Sequence, residues 1–281
     1  MTRRWPILLS LLPLVLGLGV YWQLWRGWAD TFEATLSGWF PGQTVVATGF
    51  PYRLETELAN VELAHQGNTS LVLKAGGLRL NRGPWRPELT VLQGQDVALG
   101  GTAAGLSARV AAATATASLK LDAGRLDRLS VVLPAATGNF GLGPDFRAEM
   151  LELHVRERAG LRDGDPASPR LPPRGQLVVS AAGLSLGQGA PITLAADMTI
   201  RGAGRLDDYR RWASAGGSLD AVVTGSDATG ELFTLTATIV PLGAGARLAG
   251  TISTVCPLAV AAALDGTRAP AEQRLRAPVR L

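Results

Sequence analysis

With 281 residues and 47% hydrophobic content, the chain can bury a substantial core in one or two domains. Its 34 glycines and 17 prolines, against 6% aromatic residues, favour many short strands over long helices. The formal charge of +4 includes Arg3 and Arg4 ahead of an apolar segment, which leaves too small a balance to imply nucleic acid.

The first element runs from Trp5 to Trp22, an apolar stretch broken by Ser10. A helix of that length covers about 27 Å, close to the hydrocarbon thickness of a bilayer. Arg3 and Arg4 keep the N-terminus cytoplasmic and send everything after Tyr21 outward. Tyr21, Trp22, Trp25 and Trp28 fit an interfacial aromatic belt. Trp25, Trp28, Phe32 and Leu36 continue the helix with one apolar face until Gly38 and Pro41 stop it. A cleaved signal peptide is the rival, since Gly17-Leu18-Gly19 and Gly27-Trp28-Ala29 are small-x-small sites. The length of the apolar run and the continuing helical phase favour a retained, single-pass anchor over residues 1–40.

Residues 41–266 form the expected domain beyond the membrane. "ATGFPYRLETEL", Ala47 to Leu58, opens it: Gly49 permits a turn, Pro51 fixes its own φ, and Phe50 or Tyr52 then plugs the apolar face of the strand that follows. Tyr52, Leu54, Thr56 and Leu58 alternate with polar residues before the phase slips at Val61 and Leu63, which predicts a bulge near Asn60. Similar alternations recur down the chain, through "LSVVL", "MLELHV", "ITLAADMTI" and "ELFTLTATIV". The predicted fold is mainly β: a transmembrane helix, then an antiparallel meander folded as a curved open sheet, a partly closed barrel or a sandwich. One or two short helices accompany it, in "RLDDYRRWASAGG" and "PLAVAAALDG". Residues 162–175 are Pro-rich and read as a loop within one domain or a linker between two halves; residues 267–281 lack a pattern and read as a disordered tail.

No catalytic constellation emerges, and the chain reads as a non-enzyme without cofactor or metal. "GLSLG" matches a hydrolase nucleophile elbow, but Ser185 is followed by a turn and a strand, and both histidines, His65 and His154, precede it. Those histidines lack metal-ligand spacing. Asp163 and Asp165 lack the downstream glutamate of a calcium loop. Glu55 and Glu57 share a strand face with Arg53 and read as a solvated surface. The lone cysteine, Cys256, excludes an intrachain disulfide.

"GFPYRL" opening a strand, "GPWRP" after the next hairpin, and "RWASAGGSLDAVVTG" leading into "GELFTLTATI" and "ARLAGTIS" together resemble the bacterial family called domain of unknown function 2125. The resemblance covers nearly the whole chain and implies an inner-membrane anchor with a periplasmic domain. In layout the chain is also distantly similar to AsmA-like envelope proteins, in which a tethered sheet holds lipid on an apolar inner face. The expected function is therefore envelope maintenance, with the inner membrane, phospholipid or another lipid, and envelope proteins as partners. The expected ligand-binding face comprises Phe50, Tyr52, Leu54, Leu58, Leu71, Leu73, Leu129, Val131, Leu151, Leu153, Leu194 and Ile200. A closed sandwich core explains the same residues, and a tethered protein-interaction scaffold is the alternative function.

Overall fold

The period-two text of the body becomes twelve strands of a single antiparallel sheet. The computed structural model describes residues 5–65, 70–103, 106–141, 143–157, 173–202, 209–242, 245–264 and 274–280, and within these all side chains but those of residues 5–10, 103, 106, 263 and 264. In chain order the elements are α1 (Trp5–Trp39), β1 (Leu54–His65), β2 (Ser70–Arg82), β3 (Leu89–Ala103), β4 (Leu106–Asp122), β5 (Arg125–Asn139), β6 (Phe146–Glu157) and β7 (Pro173–Leu186). They continue with β8 (Ile192–Arg201), α2 (Tyr209–Ser214), β9 (Ser218–Asp227), β10 (Gly230–Leu242), β11 (Gly245–Thr254), α3 (Pro257–Leu264) and β12 (Val279–Arg280).

Each strand pairs with its sequence neighbours, in the order β1 to β12, and the sheet is open. Barrel and sandwich are thereby corrected. The outer edge of β1 is occupied by its own lead-in, because Thr48 exchanges backbone hydrogen bonds of 2.8 and 3.0 Å with Glu55. Tight turns make the meander. Between β4 and β5, Ala123 and Gly124 both take positive φ, 48° and 76°, the mirror-image geometry that matches strand twist.

The bulge expected at Asn60 belongs to a larger feature. Asn60 has φ 52°, and the register passes from Ala59↔Gly77 to Val61↔Ala75 with two outward residues in succession. The same slip recurs at Asp96 in β3, Ala135 in β5 and Gly183 in β7, all at positive φ. The intervening strands slip with them, so a crease crosses β1 to β7. Beside it lies a row of buried apolar residues, Val61, Ala75, Ala112, Ala136, Ala148 and Leu184. Bulges of this kind bend strands and raise local twist.

Helix α1 packs its C-terminal half on this sheet. Trp25, Ala29, Phe32, Leu36 and Phe40 form one buried cluster with Leu54, Leu58, Val61, Ala75, Leu78 and Leu80. Each large side chain in it contributes about 1.5–3 kcal/mol through burial. The chain then turns at Pro41 and runs back along β1, held where the Ala47 amide donates to Glu33 Oε1 (2.7 Å) and Gln43 Nε2 donates to the Ala59 carbonyl (3.3 Å). The other half of α1 leaves the sheet: Leu11, Leu12, Leu14, Val15, Leu16, Leu18 and Val20 are exposed. Among the described residues no helix is long and apolar enough to cross a membrane. The expected span draws on Trp5 to Ser10, whose side chains lie outside the described set.

Both expected short helices form. In α2, Trp212 Nε1 donates to the Arg201 carbonyl (2.7 Å), and its ring lies on Gly202 and Gly217, where a Cβ would collide with it. Residues 162–172 of the Pro-rich segment lie outside the described residues; Pro173 to Gly175 open β7, which pairs with β6, so the segment joins neighbours of one sheet. Of the tail, residues 267–273 and 281 lie outside the described set. In its described part Val279 and Arg280 pair with Thr254 and Ser253, and Arg274 Nη2 donates to the carbonyls of Gly230 and Glu231.

Candidate functional site

Residues paired across antiparallel strands point to the same face, so an unbroken register carries the parity of one strand to the next. One row therefore runs Leu80, Leu92, Ala117, Val131, Leu153, Val179, Ala196, Val223, Leu235 and Ile252 across β2 to β11. It contains no polar side chain. At about 4.8 Å per strand it extends about 43 Å. A parallel row reads Leu119, Leu129, Val155, Leu177, Met198, Ala221 and Ala237. The opposite face gives Arg79, Gln93, Thr116, Val132, Glu152, Ser180, Ala195, Thr224, Thr234 and Ser253 over the same strands. One face is apolar over its whole width and the other is wet.

The apolar face has two parts. Over β1 to β3 it is roofed by α1. Further along, the buried clusters Phe146, Ala148, Ala181, Leu184 and Ala112, Leu133, Ala136 consist of strand residues alone. There Leu129, Val131, Leu151, Leu153, Leu194 and Ile200 are half-buried by their own neighbours.

The ten strand residues expected on the apolar face, Leu54, Leu58, Leu71, Leu73, Leu129, Val131, Leu151, Leu153, Leu194 and Ile200, do share it. Leu54 and Leu58 are packed beneath α1, and Leu71 is half-exposed. Phe50 and Tyr52 stand before the strand. Both lie in the turn where the Tyr52 and Arg53 amides donate to the Gly49 carbonyl, before strand parity begins. Tyr52 is 76% exposed. Phe50 meets Trp25 edge-on at 5.5 Å and Tyr21 at 6.0 Å, within an aromatic collar that includes Trp28 and Trp85. Tyr21 Oη donates to the Pro51 carbonyl at 2.5 Å, tying helix to turn. Leu177, Val179, Met198, Val223, Leu235 and Ile252 went unnamed although their strands were read, because only the register shows that they continue the same rows.

Most polar groups lie off this face, and one buried charge is the exception. On the wet side, buried Glu55 accepts from Arg79 through Nε (2.7 Å) and Nη2, with Arg53 and Asn81 at 3.4 Å. Lys120 Nζ donates to Asp127 at 2.8 Å and, as the main cause, holds that carboxyl below its ordinary value. The Thr229 hydroxyl and amide do the same for Asp227 at 2.6 and 2.8 Å. The exception is Arg82, paired in register with Leu54 and Thr90 and so on the apolar face. Its Nε and Nη2 donate to the Thr90 hydroxyl at 3.1 and 3.0 Å, and its guanidinium carbon lies 5.3 Å from the Phe32 ring centroid. Burial pushes its pKa down from the ordinary arginine value.

The rejected motifs fall in ordinary places. Ser185 is a residue of β7, and His154 lies on the wet face 3.5 Å from Glu152. Asp163 and Asp165 lie outside the described residues. Among the described residues no group of three or more His, Cys, Asp or Glu is placed to hold a metal ion. A shallow hollow of about 900 Å³ lies on the wet side, bordered by Lys74, Arg109, Asn139 and Asp145.

Fold and face define a class: an open antiparallel meander with one continuous apolar surface, roofed at its first strands by the helix that precedes them. The profile of a family described as "Uncharacterized protein conserved in bacteria (DUF2125)" matches residues 43–278, and the chain belongs to that family. No curated protein and no solved structure matches the chain.

Proposed function

We propose that this protein is a membrane-anchored, periplasmic component of the bacterial cell envelope that binds lipid acyl chains on the apolar face of its sheet, in the service of envelope maintenance. The observation that carries the reading is the ten-strand row from Leu80 to Ile252, most of it beyond the reach of α1. Such a surface is larger than a monomer ordinarily leaves without a purpose. Its length of about 43 Å exceeds the roughly 15 Å of one bilayer leaflet, so whole acyl chains fit along it. The anchor reading combines the exposed apolar residues Leu11 to Leu24 of α1 with the sequence from Trp5 to Ser10. It draws further on the aromatic collar around Tyr21, the kind of belt that marks a membrane interface. The reading assigns no reaction.

The test is to purify the full chain in mild detergent and extract it for lipid mass spectrometry. Phospholipid above the detergent blank is expected, and lipid-free protein would sink the proposal. A second reading, a tethered interaction scaffold, is favoured by the outer edge of β11: β12 covers Ser253 and Thr254, and Ala246 to Thr251 are exposed. An edge of that kind is a template for strand addition. A specific protein cross-linked to β11, with no lipid bound, would favour it.

A further inference from the structure

We propose that Arg82 and Thr90 form an anion site for the phosphate of a lipid headgroup, set at the helix-roofed end of the apolar face. The inference rests on the reading of that face as an acyl-chain surface. Its starting point is an electrostatic oddity. Arg82 is 7% exposed and Thr90 1% exposed, on a face whose other buried residues are uncharged. A buried guanidinium normally sits against a carboxylate, because an uncompensated charge costs several kcal/mol to desolvate. Among the described residues no carboxylate pairs with Arg82; its partners are the neutral Thr90 hydroxyl and the Phe32 ring.

The geometry leaves one side of the fork free. Nε and Nη2 are committed to Thr90, whereas Nη1 has no partner among the described residues. Among the described residues no fully buried side-chain nitrogen or oxygen lacks a partner, so Nη1 is not fully buried. A planar, permanently charged fork with free N–H groups suits a phosphate oxygen. In register, Thr90 pairs with Leu119 and Leu119 with Leu129, from which the row continues to Val155 and Leu177. A lipid whose phosphate neutralises Arg82 would lay its chains directly on that row, with the aromatic collar around Trp85 beside its head.

The experiment uses the full chain in mild detergent and two probes with identical chains, phosphatidylglycerol and diacylglycerol, compared by native mass spectrometry. The wild-type protein is expected to prefer phosphatidylglycerol by about tenfold, the worth of one charge-assisted hydrogen bond. In R82M the preference disappears while both probes still bind, and the melting temperature is held or raised, since an aliphatic stem replaces an unpaired charge. Equal binding of both probes by the wild type, or a preference surviving in R82M, overturns the site and leaves the acyl-chain reading standing. Binding of neither probe removes that reading, and this one with it. Inorganic phosphate that raises the wild-type but not the R82M melting temperature, without any lipid preference, keeps an anion site and overturns its assignment to a headgroup. Should R82M fail to fold, R82K keeps stem and charge but loses the fork; most of the preference is expected to go, and an unchanged preference overturns the proposal.

Discussion

The roofed and open parts of the apolar face are built by the same rule and end in different states. Under α1, Leu54, Leu58, Leu78 and Leu80 are core residues, sealed by Trp25, Phe32 and Leu36. From β4 onward the same parity presents Val131, Leu153, Val179 and Leu235, all half-buried, beside buried clusters made of strand residues. The difference teaches that alternation fixes which way a side chain points, while burial depends on what else is laid across the strand. The first part of the face holds the fold together, and the second is the part on which the proposed ligand would lie.

Four measurements break or sharpen that contrast. Phe32→Ala, in the roof, is expected to cost about 3–5 kcal/mol, read as a fall in denaturation midpoint of the full chain; a loss below about 1 kcal/mol would mean that α1 is not integral to the core. Leu153→Lys, in the open row, is expected to remove most co-purifying lipid while changing stability by about 1 kcal/mol, because the lysine head can snorkel to water. If that variant unfolds instead, the open part is core as well. Ala135→Gly, at the crease, is expected to stabilise by about 1 kcal/mol, since alanine there holds φ 49° and glycine adopts it freely; destabilisation would place the crease elsewhere. The smallest effect is that of Asp127→Asn. Its folded carboxyl is held below the ordinary value, so the wild type gains stability above the ordinary aspartate pKa and loses it as the pH falls through the lowered one. The pair is largely solvent-exposed, so the variant should melt slightly lower at neutral pH, by about 0.5 kcal/mol or less, and converge with the wild type in acid.

Much of this face was legible from single strands. Leu129 with Val131, and Leu151 with Leu153, alternate within their own segments, and the registers joining β5 to β6 carry one parity into the other. What was not legible depends on neighbours in space. Leu58 and Leu129 read alike in sequence, and only the path of α1 separates them. The bulge at Asn60 announced itself by a phase slip, whereas Ala135 gives no such sign, because alanine at positive φ is held there by the strands on either side. Arg82 sits beside Gly83 and Pro84 and reads as a turn-edge charge; its burial follows from pairing with Leu54 and from the Phe32 ring above it. Tyr52 is the reverse case: the alternation includes it, whereas the strand begins at Leu54.

The sequential order of the sheet also bears on how the molecule is made. Each strand finds its partner immediately before it in the chain, and α1 meets the first three strands to follow it. Contacts that close short loops form fast and cost little chain entropy. The roofed end can therefore assemble as soon as β3 has appeared, and each later strand has a finished edge waiting for it. Growth from the roofed end outward would leave the newest edge unpaired at each step, until the two-residue β12 closes part of it.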